Sequence, residues 1–406
     1  MRNWRSAALG LGLVLCVTPT FASEAFDSCA NLSASKYEPG FEGIGVIDIV
    51  GIDRYGAADA IAACQTALAE DPSSVQLKAW LGAGYAAHLD YDKGVPLLED
   101  AANAGNVVAL TALGNLLILG KGVTQDSARG TELLKQAADA NFAPALIGLA
   151  YSYDFGDGVA PDRAEAFAWY LAAAKAGVVR AQVIVADRYQ RGDGVQRNDK
   201  SAVQWFAKAA DAGDAEGQYR LGLAYLAGRG VKANKGLAFE NIKASSDQYF
   251  AGGMNAMAYL TELGIGTKAD PAAAADLYNS ARGRNLPVAA FNLARLQEDG
   301  KGVSADPVAA RANYRYAVEA GDMRAAVNLA LLYIKGEGGP RDLGEAVRLL
   351  QLAADAGNAA GQNDLGRLYE LGLGVDADPD RARTLYGQAA DKGYKLAKAN
   401  LARIGG

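Results

Sequence analysis

The residues best suited to chemistry are few and scattered. His88 is the one histidine in 406 residues, and a lone histidine is more often a surface or packed residue than a catalyst. The cysteines, Cys16, Cys29 and Cys64, show no metal-ligand spacing. Neither a Gly-x-Ser-x-Gly elbow nor a Walker loop occurs. Carboxylates are plentiful, but an acidic chain offers pairs of them anywhere. Gly-x-Gly pairs recur at Gly120/Gly122, Gly156/Gly158, Gly192/Gly194, Gly228/Gly230, Gly264/Gly266, Gly300/Gly302, Gly336/Gly338 and Gly372/Gly374. Such pairs could cradle a phosphate. The third glycine of a dinucleotide loop is absent, however, and no strand precedes any of them.

The spacing of these pairs is the stronger signal. They divide residues 105–392 into eight repeats of 36 residues without a gap. A fixed period of this size marks a solenoid, in which each repeat buries its apolar face on its neighbours. We number positions within a repeat from Gly105. Position 5 is Ala or Gly throughout, position 9 is apolar (Leu113, Leu149, Val185, Leu221), and position 13 is Tyr in five repeats. This is one face of a first helix. The glycines at positions 16 and 18 end it, because glycine reaches left-handed backbone angles cheaply. Position 22 is Asp or Asn in every repeat, from Asp126 to Asp378, and caps a second helix. Large apolar residues at positions 29 and 30 (Trp169/Tyr170, Trp205/Phe206, Leu349/Leu350) and small ones at 33 give that helix its packing face. The expected fold is all-α, a right-handed αα superhelical solenoid of about nine to ten helix pairs.

The run Gln218-Tyr219-Arg220-Leu221-Gly222-Leu223-Ala224-Tyr225-Leu226-Ala227-Gly228-Arg229-Gly230-Val231 resembles the Sel-one-like repeat, a relative of the tetratricopeptide repeat. The resemblance covers the eight repeats. It implies an αα superhelix whose members usually act as adaptors for other proteins. Some Sel-like proteins carry β-lactamase activity, and those have a disulfide in each repeat. These eight repeats contain no cysteine, a departure from that pattern.

The flanks complete the expected organisation. Residues 1–22 read as a signal peptide: Arg2 and Arg5, an apolar run from Ala7 to Val17, then a small-residue exit at Ala22. Its removal would take the formal charge from −6 to −8. An acidic chain with no basic run is poorly suited to nucleic acid or anionic lipid, and no later segment is apolar enough for stable membrane insertion. Residues 23–53 are expected to be extended and tied down by a Cys29–Cys64 disulfide, as suits an exported protein. Residues 54–104 resemble a tetratricopeptide-like N-terminal cap, and 393–406 a C-terminal capping helix. The end of the fourth repeat departs from the pattern. Asn241, Ser245, Ser246 and Gln248 replace apolar residues and Tyr249 replaces glycine, which should weaken packing on the fifth repeat.

Binding is then left to positions 7, 11 and 14 of the first helices, about 200° from the core face and expected to line a concave groove. They supply Tyr151, Asp154, Asp187, Gln190, Tyr219, Asn255, Tyr259, Glu262, Phe291, Arg295, Glu298, Asn363, Arg367 and Glu370. Arg295/Glu298 and Arg367/Glu370 are spaced as i, i+3 surface ion pairs. The leading expectation is a non-catalytic protein–protein scaffold in the periplasm or outside the cell, without cofactor or metal. An envelope hydrolase, β-lactamase-like or acting on the cell wall, and a glycan-binding module in polysaccharide export are the alternatives.

Overall fold

A computed structural model describes residues 23–38, 40, 41 and 56–404, which form twenty-one α-helices and no strand. The expected signal peptide, residues 42–55 and the last two residues lie outside the described residues. The chain divides after Val178 into two compact units.

The first unit holds α1 (Glu24–Ser33), α2 (Ala57–Glu70), α3 (Val75–Ala87), α4 (Tyr91–Asn103), α5 (Val107–Leu119), α6 (Ser127–Asp139), α7 (Ala143–Phe155) and α8 (Arg163–Lys175). The second holds α9 (Val179–Arg191), α10 (Asp199–Asp211), α11 (Ala215–Ala227), α12 (Lys235–Asp247), α13 (Ala251–Leu263), α14 (Pro271–Gly283) and α15 (Pro287–Asp299). It continues through α16 (Pro307–Glu319), α17 (Met323–Lys335), α18 (Leu343–Asp355), α19 (Ala359–Leu371), α20 (Pro379–Asp391) and α21 (Lys395–Ile404). Within each unit every helix packs on the next, as in a solenoid of helix pairs.

Each repeat contributes two helices of 13 residues, and its own side chains set their ends. The position-22 Asp or Asn accepts a hydrogen bond from a first-turn amide in all eight second helices. Each such cap contributes about 1 kcal/mol. The glycine at position 16 takes the left-handed conformation, with φ +64° at Gly120 and +63° at Gly372. The second glycine has a further reason to be glycine. A Cβ on Gly230 would meet the Asp199 carbonyl oxygen at 2.1 Å, and one on Gly338 would meet that of Pro307 at 2.2 Å. Position 18 is therefore pressed against the start of the preceding repeat's second helix. The turn alone does not explain it.

Position 30 is the central core residue. Leu134, Tyr170, Phe206, Ile242, Tyr278, Tyr314, Leu350 and Tyr386 are all fully buried. The polar end of the fourth repeat is held rather than loosened. Ser245 donates to the Ala215 carbonyl at 2.6 Å, and the Gln248 amide donates to the Gly213 carbonyl and to Gln218. Ser245 also lies so near Gly253 on α13 that a Cβ there would sit 2.4 Å from its hydroxyl. The expected weak junction is thus a close one.

The N-terminal segment corrects the expectation of extended chain over 23–53, because its first part is helix α1. Ser23 caps this helix by accepting from the Phe26 amide at 3.1 Å. Cys29, Ala30 and Ser33 form its buried face, spaced for one side of a helix. Cys29 is joined to Cys64 on α2, with their Cα atoms 4.6 Å apart. Phe26 and Phe41 pack on Trp80 of α3, with ring centroids 5.6 and 4.9 Å from the indole. The buried Glu38 carboxylate accepts from the Trp80 indole at 3.1 Å, the Ser35 amide at 3.3 Å and the Gln76 amide at 2.6 Å. Burial raises its pKa against these three donors.

Candidate functional site

The first-helix residues at positions 7, 11 and 14 do not form one uniform surface. Tyr259 is 46% exposed and Arg367 is exposed. Tyr151, Asp187, Gln190, Tyr219, Asn255, Phe291, Arg295, Glu298 and Glu370 are half-buried. Asp154, Glu262 and Asn363 are buried, at 8%, 4% and 3% exposure. These last three are corrections to the expected surface, and the physical reason is a set of contacts between helices.

In four of the eight repeats position 14 is the carboxylate of a clasp. The position-30 tyrosine of the same repeat donates its hydroxyl to it: Tyr170 to Asp154 at 3.1 Å, Tyr278 to Glu262 at 3.2 Å, Tyr314 to Glu298 at 2.8 Å, and Tyr386 to Glu370 at 2.7 Å. In two places the position-11 arginine of the next repeat closes the clasp. Arg295 grips both Glu262 oxygens at 2.7 and 2.6 Å, and Lys301 adds a bond at 3.0 Å. Arg403 grips both Glu370 oxygens at 2.5 and 2.7 Å. Bidentate pairs of this kind are the strong ones. The ion pairs therefore join neighbouring repeats. Arg295 turns to Glu262 rather than to Glu298, and Glu370 takes Arg403 rather than Arg367.

The same two junctions carry a second rung. Asn292 donates to Asn255 at 3.1 Å, and Asn400 donates to Asn363 at 2.9 Å. Each joins position 7 to position 8 of the next repeat, which is why Asn363 is buried.

The electrostatics follow from this geometry. Burial raises the Glu262 pKa, but Arg295 and Lys301 outweigh it and leave the group below the usual carboxylate range. Arg403 brings Glu370 down to about 2. Burial, and then the adjoining carboxylate, pushes the Tyr278 and Tyr386 hydroxyls well above the usual phenol value, so both remain donors.

The expected aromatics are partly covered. Tyr219 packs on Phe250 at 5.6 Å between ring centroids, and Phe291 lies under the Arg324 guanidinium at 4.4 Å. Asp187 pairs with Arg191 at 2.9 Å.

Sequence reasoning missed position 15, the last residue of the first helix. Phe155 is 70% exposed, Leu119 59%, Leu371 52% and Leu263 47%. In the first unit Phe155 stacks on Tyr151, with centroids 6.0 Å apart. In the second, Leu263 follows Tyr259 by four residues on one helical face. The available signal was a large apolar residue directly before the helix-ending glycine, where a polar one would do. His88 is exposed at the end of α3. Among the described residues no three His, Cys, Asp or Glu side chains are grouped to hold a metal.

Helix pairs in series, a glycine seated on the previous repeat and clasps from one repeat to the next define a repeat solenoid of the tetratricopeptide-like kind. The chain matches the Sel1 repeat at residues 107–142, 143–178, 179–214, 215–249, 251–282, 287–322, 324–358 and 359–394, and it belongs to that family. Among solved structures it is similar to a protective antigen of uropathogenic Escherichia coli strains with an SLR fold. The identity is 24% and the TM-score 0.60, over 91% of this chain and 85% of that one. It is also similar to a Sel1 repeat protein from Oxalobacter formigenes, at 26% identity and TM-score 0.59, over 76% of this chain and 90% of the other. No curated protein matches it. A Sel1 solenoid is in general a scaffold for protein–protein interaction.

Proposed function

We propose that this protein is a non-catalytic scaffold of the bacterial envelope, periplasmic or secreted, that holds a segment of another protein on its first-helix face. One observation carries the reading: apolar side chains at position 15, joined by Tyr259 at position 11, stand exposed on that face in both units. Leu119 and Phe155 do so in the first unit, and Tyr259, Leu263 and Leu371 in the second. Exposed aromatics beside aliphatics are what recognition surfaces use. The joined Cys29 and Cys64 support an oxidising compartment, in keeping with the leader-like first 22 residues. No described helix is long and apolar enough to cross a membrane.

The test is photo-crosslinking from position 155 or 263 in native envelope, followed by mass spectrometry. One partner should be captured at both positions or at either, and Phe155→Glu with Leu263→Glu should abolish its co-purification without loss of helical circular dichroism. Unchanged capture by that variant would refute the proposal.

A further inference from the structure

Position 11 of the second unit carries three arginines: Arg295, Arg367 and Arg403. Two are neutralised by the preceding repeat, because Arg295 reaches Glu262 and Arg403 reaches Glu370. At Arg367 the corresponding position 14 is Ile334, and the tyrosine beneath it is replaced by the fully buried Leu350. Ile334 packs onto the core that contains Leu350. Arg367 is exposed and makes no ion pair among the described residues. The carboxylates on its own helix are engaged elsewhere. Asp364 accepts from the Asn363 amide at 2.9 Å, and Glu370 is held by Arg403 and Tyr386. Leu331, at position 11 of the preceding repeat, is half-buried, and Leu371, one helical turn after Arg367, is 52% exposed.

Resting on the scaffold reading above, we propose that the Arg367 face seats a partner segment that presents a glutamate or aspartate beside an aliphatic side chain. The partner's carboxylate takes the role that Glu262 and Glu370 play at the clasped junctions. The aliphatic side chain covers Leu331 and Leu371. Charge complementarity selects this occupant. The guanidinium is a bidentate fork, its two counterparts in the same repeat position both hold carboxylates, and the carboxylates that feel its charge, Asp364 and Glu370, have closer partners. A nucleic acid would require a row of cations, and this face offers one.

The test uses the full chain and short fluorescent peptides in which one glutamate lies between leucines, each with a glutamine twin, read by anisotropy at low salt. The glutamate form should bind about fivefold more tightly, as a single partly solvated ion pair allows. That preference should vanish in Arg367→Leu, and also in Ile334→Glu, which supplies the missing carboxylate within the chain. Arg367→Leu alters an exposed side chain and keeps the test valid if Ile334→Glu fails to fold. Equal binding of the twins by the unaltered protein, or a preference that survives Arg367→Leu, overturns the acidic-anchor proposal and leaves the scaffold reading standing. Absence of binding by every peptide counts against both.

Discussion

The junction after the fifth repeat and the junction after the seventh fill the same slot with opposite chemistry. After the fifth, Tyr278, Glu262 and Arg295 interlock through charged hydrogen bonds. After the seventh, Leu350 and Ile334 fill the corresponding places as part of the apolar core, and the arginine is left facing water. Both repeats are built of two helices of 13 residues, and in both the second helix begins at an aspartate cap. The slot thus specifies a volume and a position more than a chemical type. Polarity there decides whether the next repeat's position 11 is occupied inwardly or is available outwardly.

The largest effects should come from emptying the slot. Leu350→Ala should cost about 3 kcal/mol through the lost burial and the cavity. Glu262→Ala should cost a similar amount, roughly 3 kcal/mol, by leaving Arg295 and the Tyr278 hydroxyl without their partner. Both are measured by denaturant unfolding, with hydrogen exchange to localise the loss, because repeat arrays need not unfold in one step. The comparison is broken or upheld by the combined change Glu262→Ile, Tyr278→Leu, Arg295→Leu, which copies the apolar junction. It should cost less than about 1.5 kcal/mol. A loss as large as that of Glu262→Ala would show that the two chemistries are not interchangeable.

Tyr314→Phe is a smaller step. Its hydroxyl donates to Glu298 and accepts from Asn328 at 3.0 Å, so its removal should cost about 1 kcal/mol. The smallest effect should come from acid at the last junction. Glu370 titrates at about 2 in the folded chain and near the ordinary carboxylate value, about 4.3, when unfolded. Its contribution is therefore complete above that ordinary value and is lost as pH falls through it towards about 2. The protection of α21 amides, taken relative to the intrinsic exchange rate at each pH, should fall over this window. The change is modest because Arg403 is 56% exposed. Protection that does not change with pH would mean that Arg403 does not hold α21.

Much of the fold was legible because each repeat restates it. Eight aspartates and asparagines at position 22 can only be caps, and the tyrosines and aliphatics at positions 29 and 30 mark a packing face whatever lies beyond them. The clasps were harder to see. Within one helix Arg295 and Glu298 stand three apart and look like partners. The actual partner, Glu262, lies in the preceding repeat, and only the stacking of successive repeats makes the two neighbours. The tyrosine that completes the clasp lies on the second helix, so three residues from three helices converge without any local pattern. Position 15 was missed for a different reason. A leucine at a helix end reads as core by type, and its exposure depends on how the following loop leaves. The helix α1 was missed because Pro39 and several glycines further along suggested extended chain, and they outweighed the cap at Ser23.

The glycine at position 18 implies something about how such a chain changes its length. Its seat lies in the copy before it, with no room for even a methyl group. A whole copy inserted or deleted brings a matching seat with it, whereas a fractional one would drive a side chain into a carbonyl. Gene duplication can therefore lengthen or shorten this protein only in complete modules, and the number of modules is free to follow the span of whatever it holds.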